Sequence, residues 1–151
     1  MNYKKITLLL AIIIPSLVFS ISHFATTSAD DIIATWLNEE GTAKVRIFKA
    51  TNKKYYGKVV WLKEPNKNGK PKVDDKNPDK TKQTTPVMGL QLLKGFKYDA
   101  DDKEWNGGTI YDPKNGKTYS CYISKKGEDK IKVRGYIGIS IIGRTTLWTK
   151  Q

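Results

Sequence analysis

Beyond residue 29, no stretch of the sequence keeps apolar residues at the three-and-four spacing that a helix packed on a core requires. It alternates instead. In "KIKVRGYIG" (Lys130–Gly138), Ile131, Val133, Gly135 and Ile137 fall on one side and Lys132, Arg134 and Tyr136 on the other. That is the two-residue period of a half-buried strand. The same character recurs in "IIATWL" (Ile32–Leu37), "TAKVRIFK" (Thr42–Lys49), "YYGKVVWLK" (Tyr55–Lys63) and "VMGLQLLKGFKYD" (Val87–Asp99). It continues in "EWNGGTIYD" (Glu104–Asp112), "TYSCYIS" (Thr118–Ser124) and "RTTLWTK" (Arg144–Lys150). Turn residues separate these runs, and Asn115-Gly116 is a hairpin signal because both residues tolerate positive φ. The pattern predicts an all-β fold of about eight strands, joined mostly by short turns. A small antiparallel up-and-down β-barrel removes its exposed edges by closing; an open two-sheet sandwich is the rival. An eight-stranded interior either fills with side chains or holds one small ligand.

Two segments depart from this pattern. The first is residues 1–29. Lys4 and Lys5 precede an apolar run from Ile6 to Ile21, and Thr27 and Ala29 fit a small-x-small cleavage pattern. These are the parts of an N-terminal signal peptide. The run is shorter than the ~20 residues that span a bilayer, and Pro15 interrupts it. Cleavage after Ala29 would leave residues 30–151 as a single domain, exported to the periplasm or secreted, with no stable transmembrane segment after processing. The second is residues 64–86, a long polar loop with four prolines and many lysines. A loop of that length signals function or disorder. Within it, Asn77-Pro78-Asp79 has the form of a helix start, Asn as cap and Pro at the first helical position.

The chemistry available to such a chain is narrow. Its one histidine, His23, lies in the export segment, and its one cysteine is Cys121. Histidine-based triads, histidine zinc sites and disulfides are therefore closed to the processed chain. No cofactor is expected. Cys121, between Tyr119 and Ile123, reads as a small buried apolar residue. The formal net charge is +12, and loss of Lys4 and Lys5 leaves +10. Export argues against nucleic acid as the partner of that charge; an anionic envelope surface remains open, beside plain solubility.

Asp74, Asp75, Asn77 and Asp79 present oxygen ligands at close spacing and are weak candidates for a hard cation. The central glycine and distal glutamate of a cation loop are missing, and capping and turn chemistry explain the same residues. Asp79, Glu104 and Asp112 are the acids available for carboxylate-pair catalysis. Gly107-Gly108, inside a strand, marks either a bulge or a close approach by another group. Trp61, Trp105, Tyr111, Arg134 and Tyr136 are candidates for a ligand pocket, with Arg and Tyr suited to an acidic headgroup. Alternation cautions that Arg134 faces solvent if Ile131 and Val133 face inward.

Ala34-Thr35-Trp36 resembles the Gly-x-Trp signature that opens the first strand of calycins, the lipocalin-like barrels. In those barrels an arginine of the last strand packs over the tryptophan, and Arg144 is its counterpart by order along this chain. The resemblance implies a barrel closed by a Trp36–Arg144 stack, a contact that gains a cation–π term. Ala34 replaces the signature glycine. More specifically, the ordered segments "GKVVWLKEPN", "DDKNPD", "PVMGLQLLKGF", "WNGGTIYDPKNGKTY" and "KVRGYIGISIIGRTTLW" resemble the bacterial exported family known as domain of unknown function 2147. That resemblance covers essentially all the chain beyond residue 30 and implies an exported barrel-like domain with no assigned activity.

Three functions fit these observations. The favoured one is binding of a small hydrophobic or amphipathic molecule inside the barrel. The second is a basic module that docks on an anionic envelope component through the 64–86 loop. The third is a histidine-independent enzyme with paired carboxylates.

Overall fold

The computed structural model describes residues 27–151. All of the predicted export segment except its last three residues lies outside the described residues. The described residues form ten strands: β1 (Thr35–Leu37), β2 (Ala43–Lys49), β3 (Tyr55–Leu62), β4 (Asn66–Lys67), β5 (Lys70–Pro71), β6 (Gln91–Asp99), β7 (Glu104–Asp112), β8 (Lys117–Lys125), β9 (Lys130–Tyr136) and β10 (Gly143–Lys150). Eight of them close into an antiparallel barrel in the order β1-β10-β9-β8-β7-β6-β3-β2. The predicted meander is the observed one, and the sandwich is excluded by the β1–β10 pairing, which sets Trp36 opposite Lys150.

Alternation places the core. Val45 and Ile47 of β2, Cys121 and Ile123 of β8, and Ile131 and Val133 of β9 all point inward and are buried. Burial pushes the Cys121 thiol up to about 12, so it packs as an inert apolar group. The alternation of β9 stops at Tyr136; Ile137, expected to continue the inward row, is 65% exposed in the β9–β10 turn.

One end of the barrel is closed by the segment before β1. Ile32 is fully buried beneath Trp36, whose Nε1 donates to the Ile32 carbonyl at 2.9 Å. The Trp105 indole donates to the Ala29 carbonyl, and the Tyr98 hydroxyl to that of Thr27. Asp30 pairs with Lys49 and accepts from the Tyr55 hydroxyl, while Asp31 pairs with Lys125. A cut after Ala29 would take the Thr27 and Ala29 acceptors away.

Arg144 has no part in this closure. It lies opposite Gly135 at the start of β10, six residues before the Lys150 that faces Trp36. At ~3.3 Å per residue that is about 20 Å along the strand. Trp36 is 1% exposed inside the barrel, whereas Arg144 is exposed at the other end. The expected Trp36–Arg144 stack is therefore replaced by the strand pairing itself and by the plug of residues 27–34.

The 64–86 segment is ordered. Strands β4 and β5 form a hairpin around Asn68-Gly69, both at positive φ. Helix formation starts later than expected: Asp79, not Asn77, caps a single 3-10 turn at Lys80–Lys82. Asn77 instead accepts the Asp79 amide in a turn of its own, which holds Asp79 extended.

Candidate functional site

In an up-and-down barrel, alternate connections fall at the same end. The β1–β2, β3–β6, β7–β8 and β9–β10 connections all surround the end away from the plug. Between them opens a cup of about 1630 Å³, above the ~300 Å³ that a small-molecule site needs. Its floor is apolar, made by Val59, Leu92, Ile110, Val133 and Trp148. Below that floor the interior is filled by Trp36, Tyr55, Phe96, Trp105 and their neighbours. The barrel is thus solid in its plugged half and open in the other.

The 64–86 loop forms one wall of the cup and is held there by a buried carboxylate. Asp74 is fully buried and accepts from the Tyr111 hydroxyl and the Asn77 amide, each at 2.7 Å. The loop also crosses the β7–β8 hairpin so closely that the Lys76 carbonyl leaves no room for a side chain at Gly116. Burial, followed by the hydrogen bond to Asp74, pushes the Tyr111 phenol up to about 12. Removing that hydroxyl by Tyr111→Phe should cost about 1–3 kcal/mol, because Asp74 loses a donor while buried. A raised phenol stabilises the fold fully below its ordinary value of 10.0, and the benefit is lost as pH climbs toward about 12. The stability gap between wild type and Tyr111→Phe, read from urea denaturation, should be level below pH 10 and close above it.

The rim carries charge. Arg144 stands exposed at the cup mouth with Lys63 and Lys70, and none of the three has a carboxylate partner within ion-pair distance among the described residues. The rim acids are all engaged. Glu40 pairs with Lys114, Glu64 with Lys72 and Asp75 with Lys67, while Glu39 accepts from the Leu147 amide and Asp112 from the Lys114 backbone N–H and the Asn115 side-chain amide.

Of the pocket candidates, the structure brings only Tyr111 and Tyr136 to the cup. Trp105 is in the plugged half. Trp61 is on the outer wall, 39% exposed beneath the Lys44 ammonium at 5.3 Å. Arg134 faces outward, as its place in the β9 alternation required, and its guanidinium donates to the Ser140 and Ile141 carbonyls and to Thr145 Oγ1. The arginine at the cup is Arg144, which sequence reasoning had assigned to closure.

The four cation candidates are used otherwise. Asp74 holds the loop, Asp75 pairs with Lys67, Asn77 makes a turn, and Asp79 caps the 3-10 turn while pairing with Lys82. Among the described residues no three metal-ligating acids, histidines or cysteines converge. The enzyme candidates do not converge either. Glu104 and Asp112 sit at opposite ends of β7, about 26 Å apart along the strand, and Asp79 is in the loop.

A family model described as "uncharacterized protein conserved in bacteria", domain of unknown function 2147, matches residues 34–150. The chain belongs to this family. Among solved structures, protein HP1028 from the human pathogen Helicobacter pylori, described as belonging to the lipocalin family, is similar with a TM-score of 0.69. The likeness covers 80% of this chain and 82% of that one at 18% identity, and it shows a shared lipocalin-like barrel. No curated protein is significantly similar to the chain. No helix of the described residues is long and apolar enough to cross a membrane.

Proposed function

We propose that this exported barrel binds an elongated amphipathic molecule with an anionic head, its tail on the apolar floor and its head at Arg144. The observation that carries this reading is the combination of an open cup with an apolar floor and an exposed rim arginine that makes no ion pair among the described residues. A carboxylate or phosphate meets a guanidinium through paired, charge-assisted hydrogen bonds. Tyr136 borders the mouth, but its ring packs against Tyr122 on the outer face of β8 and β9, so Arg144 is the residue assigned to the head. Binding, not catalysis, is what the site offers, since its acids are bonded into the rim and spread around it.

The test uses a fluorescent long-chain fatty acid and its neutral alcohol analogue. Ala43→Phe pushes a ring into the cup and should abolish binding of both. Arg144→Gln should weaken the acid by about 10- to 100-fold, the equivalent of one charge-assisted hydrogen bond, and leave the alcohol unchanged. Equal losses for acid and alcohol would remove Arg144 from the site. No binding of either by the wild type would remove the reading. Fractionation of cells that express the chain tests export, with recovery in the periplasm or medium expected.

A further inference from the structure

The described residues include eight exposed large hydrophobic side chains, and all of them lie toward the open end of the barrel. Val60 and Trp61 close β3, Val73 and Met88 lie in the β3–β6 connection, and Ile137, Ile139, Ile141 and Ile142 make up most of the β9–β10 turn. None is at the plugged end. The four isoleucines are 64–78% exposed, on a turn of six residues between β9 and β10. Leaving such side chains in water costs free energy that burial would recover, and a contiguous exposed apolar patch marks an interaction site.

Four of the six carbonyls of this turn are satisfied from within the chain. A peptide group that enters hydrocarbon must bring its hydrogen-bond partner with it. Here four successive carbonyls are engaged: Ile139 accepts from the Ile142 amide, Ser140 and Ile141 from the Arg134 guanidinium, and Ile142 from the Ile137 amide. Arg134 is thus spent on the turn and not on a ligand. Charge then selects the kind of medium. Lys63, Lys67, Lys70, Lys72, Lys114 and Arg144 line the same mouth against Glu39, Glu40, Glu64, Asp75 and Asp112, an excess of one positive charge on a chain whose formal net charge is +12, so the field there is weakly positive and suits an anionic surface.

We propose that the open end docks on an anionic phospholipid bilayer, with the Ile137–Ile142 turn inserted among the acyl chains and the rim cations on the headgroups. The turn and the cup share Ile137 and Ile142, so docking would set the cup mouth against the lipid. The proposal does not require the cup to hold a ligand.

The test reads depth rather than mere adhesion, because the apolar run near the start of the full chain could itself bind lipid. An environment-sensitive fluorophore is attached at Ser140→Cys, and in a separate protein at Asn52→Cys in the β2–β3 turn of the plugged end; Cys121 is buried and does not compete. With vesicles of phosphatidylglycerol and phosphatidylethanolamine, the label at 140 should shift to the blue and be quenched by lipids spin-labelled on the acyl chain. The label at 52 should do neither. Adding Ile139→Asp and Ile141→Asp should weaken the response at 140 by at least about tenfold. Both positions are exposed and neither lines the cup, so binding of the fatty-acid probe should be retained. A label at 140 that stays in water with vesicles present overturns the proposal. So does a response unaffected by the two aspartates. A blue shift without lipid, accompanied by dimerisation that the aspartates abolish, would assign the turn to a second copy of the chain.

Discussion

Trp36→Ala is expected to lose about 3–5 kcal/mol of stability, the range for truncating a fully buried aromatic. A domain of this size holds only about 5–15 kcal/mol in total, so the variant should be close to unfolding at 37 °C. Two losses combine. The indole is 1% exposed among Val45, Ile47 and Ile32, and its removal leaves a cavity next to the plug. Its Nε1 also holds the Ile32 carbonyl, so the segment before β1 loses a tether as well as a neighbour. The denaturation midpoint should fall sharply with little change in slope. Arg144→Ala, by contrast, should stay within about 0.5 kcal/mol of wild type, as exposed positions do. The double variant should equal the sum of the two, since the sites are remote. A coupling above about 1 kcal/mol would restore the guanidinium to the indole and overturn the closure described above.

That contrast illustrates which parts of the molecule could be read beforehand. Strand identity was legible because alternation is a local property: β7 runs from Glu104 to Asp112 just as its residues suggest, and β9 errs only at its last two positions. Closure was legible from the number of strands and the shortness of their turns. The β4–β5 hairpin was missed although Asn68-Gly69 is the same dipeptide as Asn115-Gly116. Its flanks are lysine, asparagine and proline, and without an apolar face there was no alternation to recruit them.

The site was harder, because alternation tells the face of a strand but not the end of a barrel. Trp105 and Tyr111 belong to the same strand, yet one is packed against the plug and the other bonds to the cup wall. The missing information was topological. In a meander, strand starts alternate between the two ends, so Tyr55 and Trp105, early in β3 and β7, had to share an end, and Asp112 and Leu62 the other. The same count would have moved Arg144, the second residue of β10, to the mouth. Asp74 had no such signal. Its burial depends on a tyrosine 37 positions away, and nothing local announces that pairing.

The second large effect is expected at Gly108. The Gly107-Gly108 pair does sit at an irregularity, with the β7–β8 register shifting between Trp105 and Gly108 and Gly107 at φ 68°. But Gly108 itself is there for a different reason: the group that approaches it is the Phe96 ring. A Cβ built on Gly108 would lie 2.4–2.5 Å from three carbons of that ring, far inside contact distance. Phe96 is 1% exposed and hemmed in by the core, so the ring has little space into which to retreat. Gly108→Ala should therefore cost about 3 kcal/mol, at the top of the range for overpacking a filled core. The cause can be isolated in the Phe96→Ala background, which removes the Cγ and both Cδ carbons that the new methyl would meet. There the added cost of Gly108→Ala should fall below about 1 kcal/mol, a coupling of the size seen for residues in direct contact. An equal penalty in both backgrounds would mean that the strand's backbone, and not the ring, demands glycine. The position matters to the site because Phe96 and Gly108 belong to the filled layer beneath Leu92 and Ile110, and a displaced ring would rise into the floor of the cup.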